Sequence, residues 1–497
     1  MRDEFAGLQV ERLANRTRKD IPATPTVRNT AGLEPHTASI LTPQEIRHLY
    51  RRAAFAPTVA EVNAALNQQM SQIVEQLLAD QPEPSAPGWV NNLPYTGTLT
   101  TQQQTDYRNW IRELREWWIR QMIAQPLSLT EKMTLFWHGH FATQYSTVQV
   151  PQYHYKLNAL VRRYAMGNFK DMVKAVSVDP CMLYYLDGVR NAVGAPNENY
   201  AREVMELFTI GIGNYTQPDI ANAAKAFTGW QVRGLDAIFT PGRHDNTVKT
   251  FMGRSGNFDG NQIIDIIFEQ AETARFICRK LYRYFIYEVP DETIIDQLAT
   301  TFRNNNYELK PVLRQLFNSA HFYNPLTMSA EITAPVERAV GAIRQLGIPI
   351  PANSNVVPSY VRTSGETFSQ ALFEPPNVAG WPGYRQWINT TSLLARYQFT
   401  DSIVTGRTLT NQNIGFKANP ITFAMMFPAP NDATALVNDI TAHLISMSVS
   451  NARRAMLLET LLQGIALYDW NINDPQAPTR IEGLLKVIFR MAEYQLG

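Results

Sequence analysis

The side chains best placed for acid–base chemistry lie in one stretch, Pro196-Asn-Glu-Asn-Tyr-Ala-Arg-Glu-Val-Met-Glu-Leu-Phe-Thr-Ile-Gly-Ile-Gly213. Ala201, Val204, Met205 and Phe208 recur at i, i+3, i+4 and i+7, so a helix there carries an apolar stripe. Asn199, Arg202, Glu203 and Glu206 recur at the same spacing, turned roughly 160° away. Asn197 or Asn199 can cap the helix start, and Gly211 can end it. Glu203 and Glu206, three apart with Arg202 beside them, could act as a general acid/base pair or as metal ligands. Arg202 could then hold an anionic group. The plainer alternative is a solvated ion-pair face. Against it, Arg202 precedes Glu206, the less favoured order, and aromatic and apolar segments flank the helix.

A second candidate is Trp137-His-Gly-His-Phe141. If Gly139 ends a helix there, His138 and His140 can turn to one side and share a divalent metal. Two ligands do not close a site, so Glu203, Glu206, His244 or Asp245 would have to complete it. The plainer reading is one histidine at a helix C-terminus and one hydrogen-bonded in the core. His244-Asp245 could line a polar pocket with Arg243, although a turn built on Asp245 explains the pair as well. In Phe373-Glu-Pro-Pro-Asn-Val-Ala-Gly-Trp-Pro-Gly383 and Trp387-Ile-Asn389, Trp381 and Trp387 could form a platform for a flat apolar ligand or a sugar. They could equally plug a loop. No phosphate-binding loop, zinc-protease helix, calcium loop or nucleophile elbow occurs.

These groups must be positioned by helices. Hydrophobic residues make up 45% of the 497 and charged residues 18%, enough apolar material for a large core. Lys plus Arg is 45 against Asp plus Glu 44, so no global field points to nucleic acid as a partner. Cys181 and Cys278 stand far apart and outside any C-x-x-C pair, which excludes a disulfide framework. No run of about 18 apolar residues and no secretory h-region is present, so the expectation is cytoplasmic residence with no transmembrane segment.

Residues 1–40 read as an extended arm. From Leu41, with Thr42 capping a helix begun by Pro43, most of the chain follows a 3.6-residue period. Helices are expected at Ala60 to Leu78, Tyr107 to Ile123, Thr273 to Tyr287 and Ala330 to Leu346, among others. Ser128-Leu-Thr-Glu131 reads as a capping box. Turn residues between Trp230 and Gly253 predict a small β-hairpin or meander insert, and Ile348 to Pro358 reads as irregular. The fold class is therefore mainly α, a single large multi-helical domain over 41–497 with that β insert.

Several ordered motifs carry a family resemblance. They are Arg51-Arg-Ala-Ala-Phe55, Phe136-Trp-His-Gly-His-Phe141, Asp179-Pro-Cys-Met182, Asn197-Glu-Asn-Tyr-Ala-Arg-Glu203, Glu206-Leu-Phe-Thr209, Phe227-Thr-Gly-Trp230 and Glu374-Pro-Pro-Asn-Val-Ala-Gly-Trp381. Together the chain resembles the bacterial family called domain of unknown function 1800, from about Leu41 to Tyr494. The resemblance implies a large, mostly helical protein, often encoded beside a sulfatase- or phosphatase-like protein of domain of unknown function 1501. Two readings follow: a hydrolytic enzyme using the carboxylates and histidines above, or a non-catalytic binding or assembly protein working with that neighbour.

Overall fold

A computed structural model describes residues 32–497. The chain is mainly α: 21 α-helices occur among the described residues, with two small antiparallel hairpins. Of the expected arm, residues 1–31 lie outside the described part. Residues 32–40 run over the helices and pair by isolated bridges, Pro35 with Ser319 and Ile40 with Gln69.

The helices that frame the site are α1 (Pro43–Ala53), α2 (Thr101–Ala124), α3 (Thr130–His140), α4 (Pro151–Arg163), α5 (Asn199–Glu203), α6 (Ala271–Phe285) and α7 (Pro335–Gln345). α1 begins as expected, with a capping box between Thr42 and Glu45 and Pro43 in the first turn. The hydrophobic side chains form two cores. One gathers Trp137, Phe141, Phe169, Phe208 and Ile277; the other gathers Trp118, Ile343, Phe399 and Leu484. α3 stands between them, giving Met133 and Trp137 to the first and Leu135 to the second. All eleven residues of α7 are buried. Helices buried all round bury polar groups too, and Lys132 on α3 meets Glu337 on α7 at 2.6 Å.

The β insert is two hairpins: β1 (Trp230–Arg233) with β2 (Asp236–Phe239), and β3 (Lys249–Phe251) with β4 (Arg254–Gly256). The second turns through Met252 and Gly253, both at positive φ, the backbone that suits a two-residue hairpin loop. Buried Lys249 hangs the hairpin on the backbone carbonyls of Asp245 and Thr247 and on Asn257.

Four local expectations fail, each for a visible reason. Ala60 to Leu78 is not one helix but two, Val59–Ala65 and Met70–Leu78. The break falls where the strand-like segment at Ser39 and Ile40 takes the Met70 amide at 2.8 Å. Glu131 does not close a capping box. It turns inward, where Trp118 Nε1 donates to it at 2.7 Å and Arg162 holds both its oxygens. Gly139 does not end α3, which runs on through His140. A helix, Val356–Thr367, begins inside the stretch read as irregular. Pro358 fits its first turn, where the backbone amides need no helical partner.

Candidate functional site

The sequence motif at 197–213 folds as α5 followed directly by a π-helical turn, Val204–Thr209. The expected stripes are there. Ala201, Val204, Met205 and Phe208 are fully buried, while Arg202, Glu203 and Glu206 are half-buried and Asn199 is exposed. Asn197 lies just before the N-cap Glu198, its Oδ1 accepting from the Asn199 amide at 2.8 Å; Asn191 Oδ1 in turn receives the Asn197 amide. Gly211 (φ +82) ends the segment, and any Cβ there would stand 2.9 Å from the Phe276 ring.

The π turn widens the backbone and frees carbonyls for partners outside the helix. Leu207 O accepts from Lys280 Nζ on α6 at 2.9 Å, and Phe208 O accepts from His140 Nε2 at 3.0 Å. Lys280 also donates to His140 Nδ1 at 3.0 Å. These partners fix a neutral imidazole with its proton on Nε2. Burial, and then the Lys280 charge, hold the His140 pKa well below its ordinary value. Burial lowers the Lys280 ammonium to about 7, with Arg283 adding to the effect.

On the polar face the charges are unequally paired. Arg202 Nη2 donates to Glu198 at 3.1 Å and to Gln217 at 3.1 Å, and Gln217 itself donates to Glu198 at 2.9 Å. Glu206 takes a longer contact from Arg202, 3.5 Å, and the Tyr215 hydroxyl. Glu203 has no hydrogen bond or ion pair with any described residue. Burial first, and then the neighbouring Glu206 charge, raise the Glu203 carboxyl to about 7, against a smaller opposing pull from Arg202. Tyr185 lies close enough to feel both Glu203 and Glu374, and its hydroxyl donates to Gln144 at 2.9 Å. The face can therefore hold a proton at neutral pH on one carboxyl beside a second carboxylate.

The remaining candidates sit elsewhere in the fold. His138 accepts the Phe373 amide at 3.0 Å and is packed among Trp118, Phe373 and Trp381. Since α3 continues through Gly139, His138 and His140 diverge and do not converge on a metal. His244 Nδ1 lies 2.9 Å from the Thr228 carbonyl, far along the chain in the β insert. Among the described residues no group of three or more His, Cys, Asp or Glu side chains is arranged to hold a metal ion. Asp245 builds the turn, its Oδ1 accepting from the Thr247 amide at 2.9 Å and from the Thr247 hydroxyl. Burial opposes its charge, but those bonds and Lys249 hold it below the usual carboxylate range.

Trp387 is buried, and half-buried Trp381 lies on His138, so neither offers an open platform. Their loop is a plug locked on α3: a Cβ on Gly380 would stand 2.1 Å from the Gly139 carbonyl oxygen. Glu374 fastens the same loop to Ser146 through the Ser146 amide at 3.0 Å and the Ser146 hydroxyl.

Sequence reasoning missed Glu198, Gln217, Tyr185, Tyr215 and Lys280 as parts of this neighbourhood. Glu198 stands inside the quoted motif and repeats four residues before Arg202, a spacing that does signal a pair. The others arrive from distant segments and carry no local signal.

Residues 48–496 match the family described as protein of unknown function (DUF1800). The chain belongs to that family. The match spans the central helix, both cores and the locking loop. No curated protein and no solved structure matches the chain. Among the described residues no helix is long and apolar enough to cross a membrane.

Proposed function

We propose that this DUF1800 member is a hydrolytic enzyme in which Glu203 is the general acid and Glu206 its basic partner. The observation that supports it is the unpaired Glu203 carboxyl, half-buried beside Glu206 and still in reach of solvent. A carboxyl that keeps its proton to about pH 7 can protonate a leaving-group oxygen as the scissile bond breaks. Glu206 takes the proton from the attacking water, and proton return restores both groups. Arg202, engaged with Glu198, Gln217 and Glu206, acts as a positioning residue and not as an anion clamp.

The test is turnover of aryl phosphate, sulfate, acetate and glycoside probes by wild-type and variant protein. At least one class should turn over, with a rate that falls as pH rises through about 7. Glu203→Gln should lower kcat by roughly 100-fold or more. No turnover with any class, or an undiminished Glu203→Gln enzyme, overturns the proposal.

One observation favours the second reading. The closed Arg202, Glu198 and Gln217 network is what a purely structural polar face would show. A binding or assembly role with a sulfatase- or phosphatase-like DUF1501 neighbour then predicts co-purification that survives Glu203→Gln.

A further inference from the structure

α3 and α6 bring a histidine and a lysine together at the π turn. Phe136 and His140 lie four apart on α3, and Phe276 and Lys280 four apart on α6, so each pair shares a helix face. Lys280 Nζ donates to His140 Nδ1 at 3.0 Å and to the Leu207 carbonyl at 2.9 Å. His140 Nε2 donates to the Phe208 carbonyl at 3.0 Å, which leaves the Nδ1 lone pair aimed at the amine. An amine, a base within hydrogen-bond reach and a third group that orients the base are the parts of an activated nucleophile. π turns recur at functional sites, and this one supplies the orienting carbonyl.

Lysines that brace this fold look different. Buried Lys132 is neutralised by Glu337 at 2.6 Å. Buried Lys249 directs its protons to the carbonyls of Asp245 and Thr247 and to the Asn257 side-chain oxygen, with no base among them. Lys280 has no carboxylate partner among the described residues, touches an imidazole lone pair, and is only half-buried. Its ammonium is lowered to about 7 by burial and by the Arg283 charge, so near neutrality much of the amine carries a free lone pair. His140, held well below its ordinary value by burial and then by Lys280, is neutral and able to accept a proton.

We propose that Lys280 is a nucleophilic amine that captures an aldehyde or ketone as an imine, with His140 as its base. The amine nitrogen bonds to the carbonyl carbon while the C=O π pair moves to oxygen. His140 takes a proton from that nitrogen and delivers it to the oxygen, which gives a carbinolamine. The C–O bond then breaks, His140 passes the second nitrogen proton to the departing hydroxyl, and water leaves as the nitrogen lone pair closes the C=N bond. The surroundings select an apolar, aromatic carbonyl compound over a polyhydroxylated one. The half-buried Phe276 ring lies 4.9 Å from Lys280 Nζ, and the half-buried Phe136 ring is stacked on His140 at 6.2 Å. The inference does not depend on Glu203 acting as an acid.

The experiment treats full-length protein with benzaldehyde and cyanoborohydride at pH 7 and maps the trapped secondary amines by peptide mass spectrometry. Lys280 should be converted roughly 10-fold or more faster than exposed Lys417. Its rate should level off above about pH 7, where the rate at Lys417 is still climbing. His140→Gln should slow capture at Lys280 by roughly 10-fold or more at fixed pH. Should that variant fail to fold, the wild-type pH profile decides, since it needs no substitution. Lys280 unlabelled, or labelled no faster than Lys417, overturns the proposal. So does a folded His140→Gln protein that is labelled at the wild-type rate.

Discussion

Glu131 on α3 and Glu203 on α5 are both acids on helices that pack against the core, yet their surroundings are opposite. Glu131 is buried and receives a Trp118 indole and both arms of the Arg162 guanidinium, at 2.6 to 3.0 Å. Glu203 receives nothing from any described residue and faces a second carboxylate. A fold that satisfies one carboxylate so fully while leaving another unpaired separates structural charge from charge free for chemistry.

The largest expected effect breaks the structural side of this contrast. Arg162→Ala leaves Glu131 buried without its counter-ion, with only the Trp118 indole donating to it, and should lower stability by about 3–5 kcal/mol, measured by denaturant unfolding. A loss below about 1 kcal/mol would mean that Glu131 is solvated and the contrast false.

Next comes Glu203→Gln, which should stabilise the protein in the alkaline range. The folded Glu203 pKa of about 7 lies above its ordinary value of 4.5. Between those values the unfolded chain has released this proton and the folded chain still holds it. Stability therefore falls as pH rises through the window, and is flat for this group above about 7. Removing the group should raise stability by on the order of 1–2 kcal/mol at pH 8 and by close to nothing at pH 4. A variant less stable than wild type at pH 8 would reveal a favourable partner for Glu203.

The smallest effect belongs to Arg202→Ala. Its network is more than a third exposed at Arg202 and Glu198, so the loss should stay below about 1 kcal/mol by thermal unfolding. It should also raise the Glu203 midpoint, because the one cation favouring ionisation is gone. A lowered midpoint would reverse the assignment of Arg202.

Much of this contrast could be read from residue spacing. The two stripes of α5, the Asn197 turn before it, the Gly211 stop and the Asp245 turn are all local, and local geometry decides them. The π turn was not legible, because it rests on outside partners for its freed carbonyls. Those are His140 and Lys280, some 70 residues away on either side. Glu131 was misread for a related reason: its spacing from Ser128 fits a cap, but Arg162 and Trp118 offer it stronger bonds. The stop at Gly139 was misread because a glycine can end a helix, but here the helix continues through His140 and it is Gly380 that makes room against the Gly139 carbonyl. Long-range packing, which spacing cannot encode, settled each of these.

The proposed chemistry requires Glu203 to keep its proton to near neutrality. The most direct test is a carboxyl titration by carbon-13 NMR of protein labelled at glutamate, with the Glu203 resonance identified by its absence from Glu203→Gln. A midpoint near 7 is expected. A midpoint near the ordinary 4.5 would show an ordinary solvated acid and contradict its role as a general acid.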